Sequence, residues 1–235
     1  MEITFYNPSG ELTFSGDAIT YSYIGKATPT GISQAGTSSV SNTVGRSTYT
    51  ITWDGDIVVA LPLKTNGPQV VLSTVKSGST WTITVMKGDG TFDANGFPTQ
   101  EYTEVYVFGA PPSTATSQFI IYDVNGVPCG DLSRQPLLYK AIIALSSTVT
   151  DTWTPSPAIT SPAVVGNPLG YRSTSVASGS KWINRVWGFA WSLGTDGAIS
   201  RGLYVNDWSS DDGPIAQTLV AVPGNAIITT VQGLS

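Results

Sequence analysis

Apolar residues in this chain come in short bursts, alternating with polar ones or running briefly before Gly, Pro, Asn or Asp interrupts. "EITFY", "STYTITW", "DIVVALP", "WTITVM" and "AIIAL" are examples. A period of two places alternate side chains on opposite faces of a strand. The pattern predicts strands over 2–6, 11–15, 19–24, 47–53, 56–62, 69–74, 81–86, 102–108, 118–122, 137–145, 163–165, 182–193, 198–205, 216–221 and 226–231. Turn signals such as "NPSG", "DGD", "KSGS", "KGDG", "DVNG" and "TDGA" fall between them. Short strands at regular spacing with Gly/Asn/Asp turns predict an all-β sandwich or barrel. "STYTITWDGDIVVALPL" reads as a hairpin pivoting on Asp54-Gly55. Residues 25–46, rich in Ser, Thr and Gly, read as an exposed loop or as an arm ordered against a neighbour.

The chain also starts twice. "ITFYNPSG" and "FIIYDVNG" match at Tyr6/Tyr122 and Gly10/Gly126, 116 positions apart, and Tyr23/Tyr139 keep that spacing. "SGSTW" (77–81) returns as "SGSKW" (178–182), and "EVYVFG" (104–109) resembles "GLYVND" (202–207). The expected architecture is therefore two tandem β-sandwich-like modules from a diverged internal duplication. Their bounds are 1–110 and 119–235, joined by a Pro/Ser/Thr linker at 111–118. Shared turn vocabulary among β proteins is the competing explanation of the matches.

Composition narrows the function. Charged residues make up 11% of the chain, against about a quarter in ordinary proteins. The net charge is −5, and no basic patch invites nucleic acid. No apolar run is long enough to span a bilayer as a helix, and the opening lacks the pattern of a secretory signal. The single cysteine, Cys129, has no partner for an internal disulfide, which suits a reducing cytoplasm.

The chain has no histidine, which removes Ser–His and Cys–His nucleophile systems and histidine metal sites. Asp54, Asp56 and Asp89 adjoin turn glycines, where Asp serves the backbone better than a reaction. "GDGTFDANG" (88–96) fails as a calcium loop at both its first and last ligand positions and reads as a solvated hairpin tip. The expectation is a non-enzyme with no catalytic residue, metal or cofactor.

The strongest local feature is "KWINRVWGFAWSLG" (181–194). As a strand it places Arg185, Trp187, Phe189, Trp191 and Leu193 on one face and small residues behind them. Such a row is a core stripe, a subunit seam or a glycan-stacking platform. Arg185, Trp187, Phe189, Trp191, Tyr204 and Trp208 are the interface or ligand candidates, and Trp182 joins them under the glycan reading.

"MEITFYNPSGELTFSGD" and "SGSKWINRVWGFAW" are similar to stretches of minor tail and tail-tip proteins of siphophage-like tailed bacteriophages. The resemblance covers roughly the first 25 residues and 178–205, and no binding residue carries over from it. It implies a virion protein made in the host cytoplasm. Such a protein assembles at the tail tip or baseplate as a homo-oligomer, a trimer by preference, with other tail proteins. The alternative is a receptor- or glycan-binding module of the tail tip. A polysaccharide hydrolase and a capsid decoration protein rank below both.

Overall fold

A computed structural model describes residues 4–6, 12–15, 20–33, 42–43, 46–63, 65, 69–92, 98–100, 103–114, 119–123, 125–145, 151–165, 170–221 and 224–234. Regular structure among them is entirely β. In the first part of the chain lie β1 (Thr4–Tyr6), β2 (Leu12–Ser15), β3 (Ser22–Lys26), β4 (Thr28–Ser33), β5 (Asn42–Thr43), β6 (Arg46–Thr52) and β7 (Ile57–Pro62). Next come β8 (Gln69–Ser77), β9 (Thr80–Phe92), β10 (Pro98–Gln100) and β11 (Tyr106–Gly109). Beyond 111–118 lie β12 (Ile120–Tyr122), β13 (Pro128–Asp131), β14 (Ala141–Leu145), β15 (Asp151–Trp153) and β16 (Pro162–Val165). The last five are β17 (Gly170–Ser178), β18 (Lys181–Leu193), β19 (Ile199–Asp211), β20 (Thr218–Ala221) and β21 (Gly224–Thr230).

Two large sheets carry the fold. The six-stranded one has the order β14-β21-β16-β7-β11-β3. The eleven-stranded one follows β15-β19-β18-β8-β9-β6-β4, with β17, β20, β5 and β10 attached beside this path. The hairpins β1–β2 and β12–β13 form separate two-stranded sheets. Tyr49, Val71, Ile83, Val85, Trp191 and Ile199 of the larger sheet meet Val59, Leu61, Val107, Val164, Ile143 and Ile228 of the smaller in one buried cluster. The alternate residues Ala60, Tyr106, Phe108, Ala163 and Val165 are buried on the smaller sheet's other face under Leu137, Val231 and Leu234. Its central strands are therefore covered on both sides, which is why "IVVALP" and "PAVV" run apolar without alternating.

Strands from either side of 111–118 share both large sheets. In the smaller one, β7 pairs with β16, with Leu61 opposite Val164. In the larger, Trp191 of β18 pairs with Gln69 of β8. The linker region also starts pinned: Ala110 is buried, its N–H donates to Asp56 O (2.9 Å), and its carbonyl accepts the Trp53 indole N–H (2.8 Å).

Two expectations are corrected. Asp54-Gly55 does not turn a hairpin, because β6 belongs to the larger sheet and β7 to the smaller. The chain crosses between layers there, held by Trp53. A Cβ at Gly55 would collide with the carbonyl of Ala110, and one at Gly109 with the Trp53 indole, so both close approaches require glycine. Second, 25–46 is not one loop or arm: β4 pairs with β6, β5 with β19, and Ala27 is buried. Pro29, Gly31 and a bulge mask the strand pattern of β4. The hairpin expected around 88–96 is present as β9 pairing antiparallel with β10, Phe92 opposite Pro98. Residues 88–92 belong to β9, and 93–97 lie outside the described residues.

Two hairpins repeat each other's geometry. In β1–β2, Thr4, Phe5 and Tyr6 face Ser15, Phe14 and Leu12; in β12–β13, Ile120, Ile121 and Tyr122 face Asp131, Gly130 and Pro128. Adding 116 to each first partner gives the second, including the bulge after the middle pair. Adding 101 to the bounds of β8 and β9 gives those of β17 and β18. The half-sheets correspond in order as well, β3-β11-β7 running outward-to-centre like β14-β21-β16.

Candidate interaction surface

The aromatic row of β18 divides. Phe189 is 0% exposed and Trp191 2%. Both are interior within a single chain, so they supply neither a subunit seam nor a ligand platform. Trp191 belongs to the core between the sheets, and Leu193 packs against it. The backbones of Arg185 and Trp208 lie opposite each other, and those of Gly188 and Tyr204 likewise. The side chains of Arg185, Trp187, Tyr204 and Trp208 lie outside the described ones. Trp182 is half-buried.

Beside the buried aromatics runs a polar row that sequence reasoning missed. Asp151, Arg201, Trp191 and Gln69 face one another in turn across β15, β19, β18 and β8. Arg201 is fully buried, donates from Nη2 to Asp151 Oδ2 at 2.5 Å, and lays its guanidinium 4.5 Å from the Phe189 ring centre. Gln69 donates from Nε2 to the carbonyl of Pro62 and accepts from Thr103 Oγ1 at 3.3 Å. A buried cation is tolerable only when paired and hydrogen-bonded. The row is thus an interior brace spanning the junction of β18 with β8. Its signal in the sequence was "AISRGLY", where Arg201 takes the same alternate positions as Ile199 and Leu203.

Half-buried tryptophans close the corner where β6 crosses to β7. Trp81 Nε1 donates to the carbonyls of Trp53 (3.1 Å) and Gly55 (3.2 Å). Lys76 lies 5.3 Å from the Trp81 ring centre, and Arg134 lies 5.3 Å from that of Trp53. Arg134 in turn pairs with the buried Asp131 at 3.2 Å. Nearby on β3 and β11, Tyr23 packs against Tyr106 and Phe108. Lys26 donates to Glu104 at 2.8 Å and lies over the Tyr106 ring. Burial foremost pushes the phenols of Tyr21, Tyr23 and Tyr106 above their ordinary range; for Tyr106 the Glu104 hydrogen bond adds to it. Lys26 has its own hydrogen bond to Glu104, the main cause that raises its ammonium above the ordinary range. These groups are engaged with one another and build structure.

The outward-facing apolar groups lie elsewhere. Six of the nine large apolar side chains exposed among the described residues, Phe119 (61% exposed), Tyr122, Val127, Leu132, Tyr139 and Ile142 (65%), fall between 119 and 142, in and just after the hairpin that opens the second half. Ile32, Val75 and Val176 lie singly elsewhere. Phe119 and Leu132 stand side by side, since the Leu132 N–H donates to Phe119 O (2.9 Å). The hairpin tip is fixed by Asp123, whose Oδ1 accepts the N–H groups of Val127 and Asn125, both at 2.8 Å. The Val127 bond foremost holds the Asp123 carboxyl below its usual range. In the sequence, "FIIYDVNGVPCG" reads as a second start. Its signal as a surface was an apolar run flanking a turn rather than alternating into a core.

Among the described residues, no group of three or more His, Cys, Asp and Glu is placed to hold a metal, and no helix is long and apolar enough to cross a membrane. Cys129 is buried. Comparison of the chain with protein families, curated proteins and solved structures finds no match.

Proposed function

We propose that this chain is a structural virion protein of a tailed bacteriophage, placed at the tail tip or baseplate near the receptor-binding apparatus. It acts by contact with copies of itself and with other tail proteins, performs no catalysis and carries no cofactor. It is synthesised in the host cytoplasm and resides in the virion tail. Its two halves, 1–110 and 119–235, are diverged copies of one β-sandwich-like unit. The matching registers of β1–β2 with β12–β13 favour that descent. The observation that carries the assembly role is the run of exposed apolar side chains between 119 and 142. Exposed apolar groups concentrated in one short stretch are the mark of a surface meant to be covered. A surface poor in charge suits such contacts too, because those built on shape and hydrogen bonds are less sensitive to salt than ion pairs.

The test is to raise antibodies to the protein and label purified particles from a host that carries the gene. Gold at the distal end of tails supports the reading. Absence of the protein from purified particles, with the protein abundant in the lysate, sinks it.

A second reading, a receptor- or glycan-binding module of the tail tip, draws on the aromatic members of the same stretch, Phe119, Tyr122 and Tyr139. Binding of the purified protein to a panel of host-surface glycans, abolished by Tyr122→Ala, favours it over pure assembly.

A further inference from the structure

The path ends of the two large sheets are β3 and β14 in one, β4 and β15 in the other. Sheet edges expose unpaired main-chain groups and are usually blunted by charge, proline, bulges, shortness or a covering segment. At β3, Tyr23 N–H donates to Gln135 O (2.7 Å) and Leu137 N–H to Tyr21 O (2.8 Å), so the 135–137 segment covers it. A bulge, Gly25 at φ +141° and the ion-paired Lys26 protect the rest. β4 carries Pro29 and a bulge, and β15 is three residues long with Asp151 at its start. β20 hangs from β17 alone, and most of its side chains lie outside the described ones.

Among the described residues, β14 shows none of these devices. Its sequence is "AIIAL", without charge, proline or glycine, and it pairs with β21 over five residues without a register shift. Ile143 and Leu145 enter the core, while Ile142 and Ala144 stand exposed on the other face. Among the described residues no strand lies beyond it.

We infer that the β14 edge is a docking surface for the β14 of a second copy of this chain, the two strands pairing antiparallel about a two-fold axis. Every strand pairing in this sheet is antiparallel, so an added strand continues the pattern only in that direction. An antiparallel pair of identical strands is two-fold symmetric. The chain already builds the sheet by such a junction, β7 joining the three strands of one half to β16 and the three of the other. Facing residues must share a face, so the axis passes through a residue and not between two. Centred on Ile143, it pairs all five residues, setting Ile142 against Ala144 of the second copy and continuing the buried layer through Ile143. Five backbone pairs with flanking Ile142 and Tyr139 make a small interface, so association is concentration-dependent. The inference stands independently of the proposed location in a virion.

The test uses the full chain. Sedimentation equilibrium over a wide concentration range gives twice the 24.7 kDa chain mass at the upper end. Ile142→Lys with Ala144→Lys places charges on two exposed positions and returns the mass to that of one chain, with circular dichroism unchanged. Val75→Lys with Val176→Lys, equally exposed positions on β8 and β17, leaves the dimer intact. Register is read by cysteines: the double variant Ile142→Cys, Ala144→Cys forms an inter-chain disulfide on oxidation, whereas Ile142→Cys alone does not, its two copies lying too far apart. A wild-type mass of one chain or of three at all concentrations overturns the inference. So does a dimer that survives the double-lysine change in a folded protein.

Discussion

The hairpins β8–β9 and β17–β18 share their lengths, their turn and the register of the pairs nearest it, yet use the same positions differently. Ser77↔Thr80, Lys76↔Trp81, Val75↔Thr82, Thr74↔Ile83 and Ser73↔Thr84 return as Ser178↔Lys181 through Thr174↔Arg185. Ile83 lies fully buried in the main core; its counterpart 101 residues later is Asn184. Asn184 is buried too, but as a clamp: it donates from Nδ2 to Gly213 O (3.0 Å) and accepts from Ile215 N (3.3 Å) and Ser175 Oγ. Further along, Gly88 and Gly90 stand where β18 has Phe189 and Trp191. Turn chemistry and alternation set the register in both hairpins. What faces each side chain across the layer decides whether a position is filled by an aliphatic group, an amide or an aromatic ring. Matching turns and registers therefore need not signal matching roles.

The largest effect on this comparison comes from emptying the aromatic positions that only β18 fills. Phe189→Ala or Trp191→Ala is expected to cost about 3–5 kcal/mol, the usual range for removing a buried aromatic. Val176→Ala, an exposed position of the neighbouring strand, stays within about 0.5 kcal/mol. Denaturant unfolding of the full chain measures all three. A Trp191→Ala midpoint equal to wild type would return that side chain to the surface and reopen its reading as a seam.

The second contrast separates core from clamp. Ile83→Ala is expected to lose about 2–5 kcal/mol as a cavity in the core. Asn184→Ala loses about 1–3 kcal/mol, from the polar groups it leaves unpaired. The difference in location is sharper than the difference in size. Hydrogen exchange after Asn184→Ala should speed up at 213–218, where Thr218 N–H also donates to Ser173 Oγ (3.1 Å), and leave β9 protected. Uniform acceleration throughout both sheets would mean that Asn184 is part of the global core and not a local clamp.

These two hairpins also show what the sequence made legible. The turn at "SGSKW" and the strand over 182–193 were plain from period and punctuation, as was the all-β class. β17 was not, because "GYRSTSVAS" alternates among Ser, Thr and Arg and offers no apolar face, its inward Ser173 and Ser175 being buried against polar partners. The aromatic row was legible as a row, but its burial was not. The sequence carries no statement of which layer lies opposite, and the covering sheet includes strands from more than 100 residues away, such as Val59 and Leu61 of β7. The crossing at Asp54-Gly55 was misread for the same reason. A hairpin and a layer change share the same turn residues, and only the contacts of Trp53 with Gly109 and Ala110 distinguish them. The exposed stretch between 119 and 142 was hidden by its likeness to the first hairpin, which drew attention to ancestry and away from exposure.

The smallest effect tests what the hairpins have in common. Gly78 and Gly179 open the two turns at φ +60° and +63°, the left-handed region that L-residues enter at a cost of roughly 1–2 kcal/mol. A Cβ added at either would meet nothing within 4 Å, so packing contributes no penalty and the backbone alone is tested. Gly78→Ala and Gly179→Ala should therefore cost the same, about 1–2 kcal/mol each, while Asn at either position costs less because it tolerates this region. With no shared partner between the turns, the double variant should equal the sum of the singles within about 0.5 kcal/mol. Equal and additive losses in thermal unfolding would confirm that the turn fixes the register independently of the side chains inside. A much larger loss at Gly179 would mean instead that the second hairpin relies on its turn because Asn184 and the 213–218 segment must be presented in one register, and the two would be alike in shape but not in what maintains it.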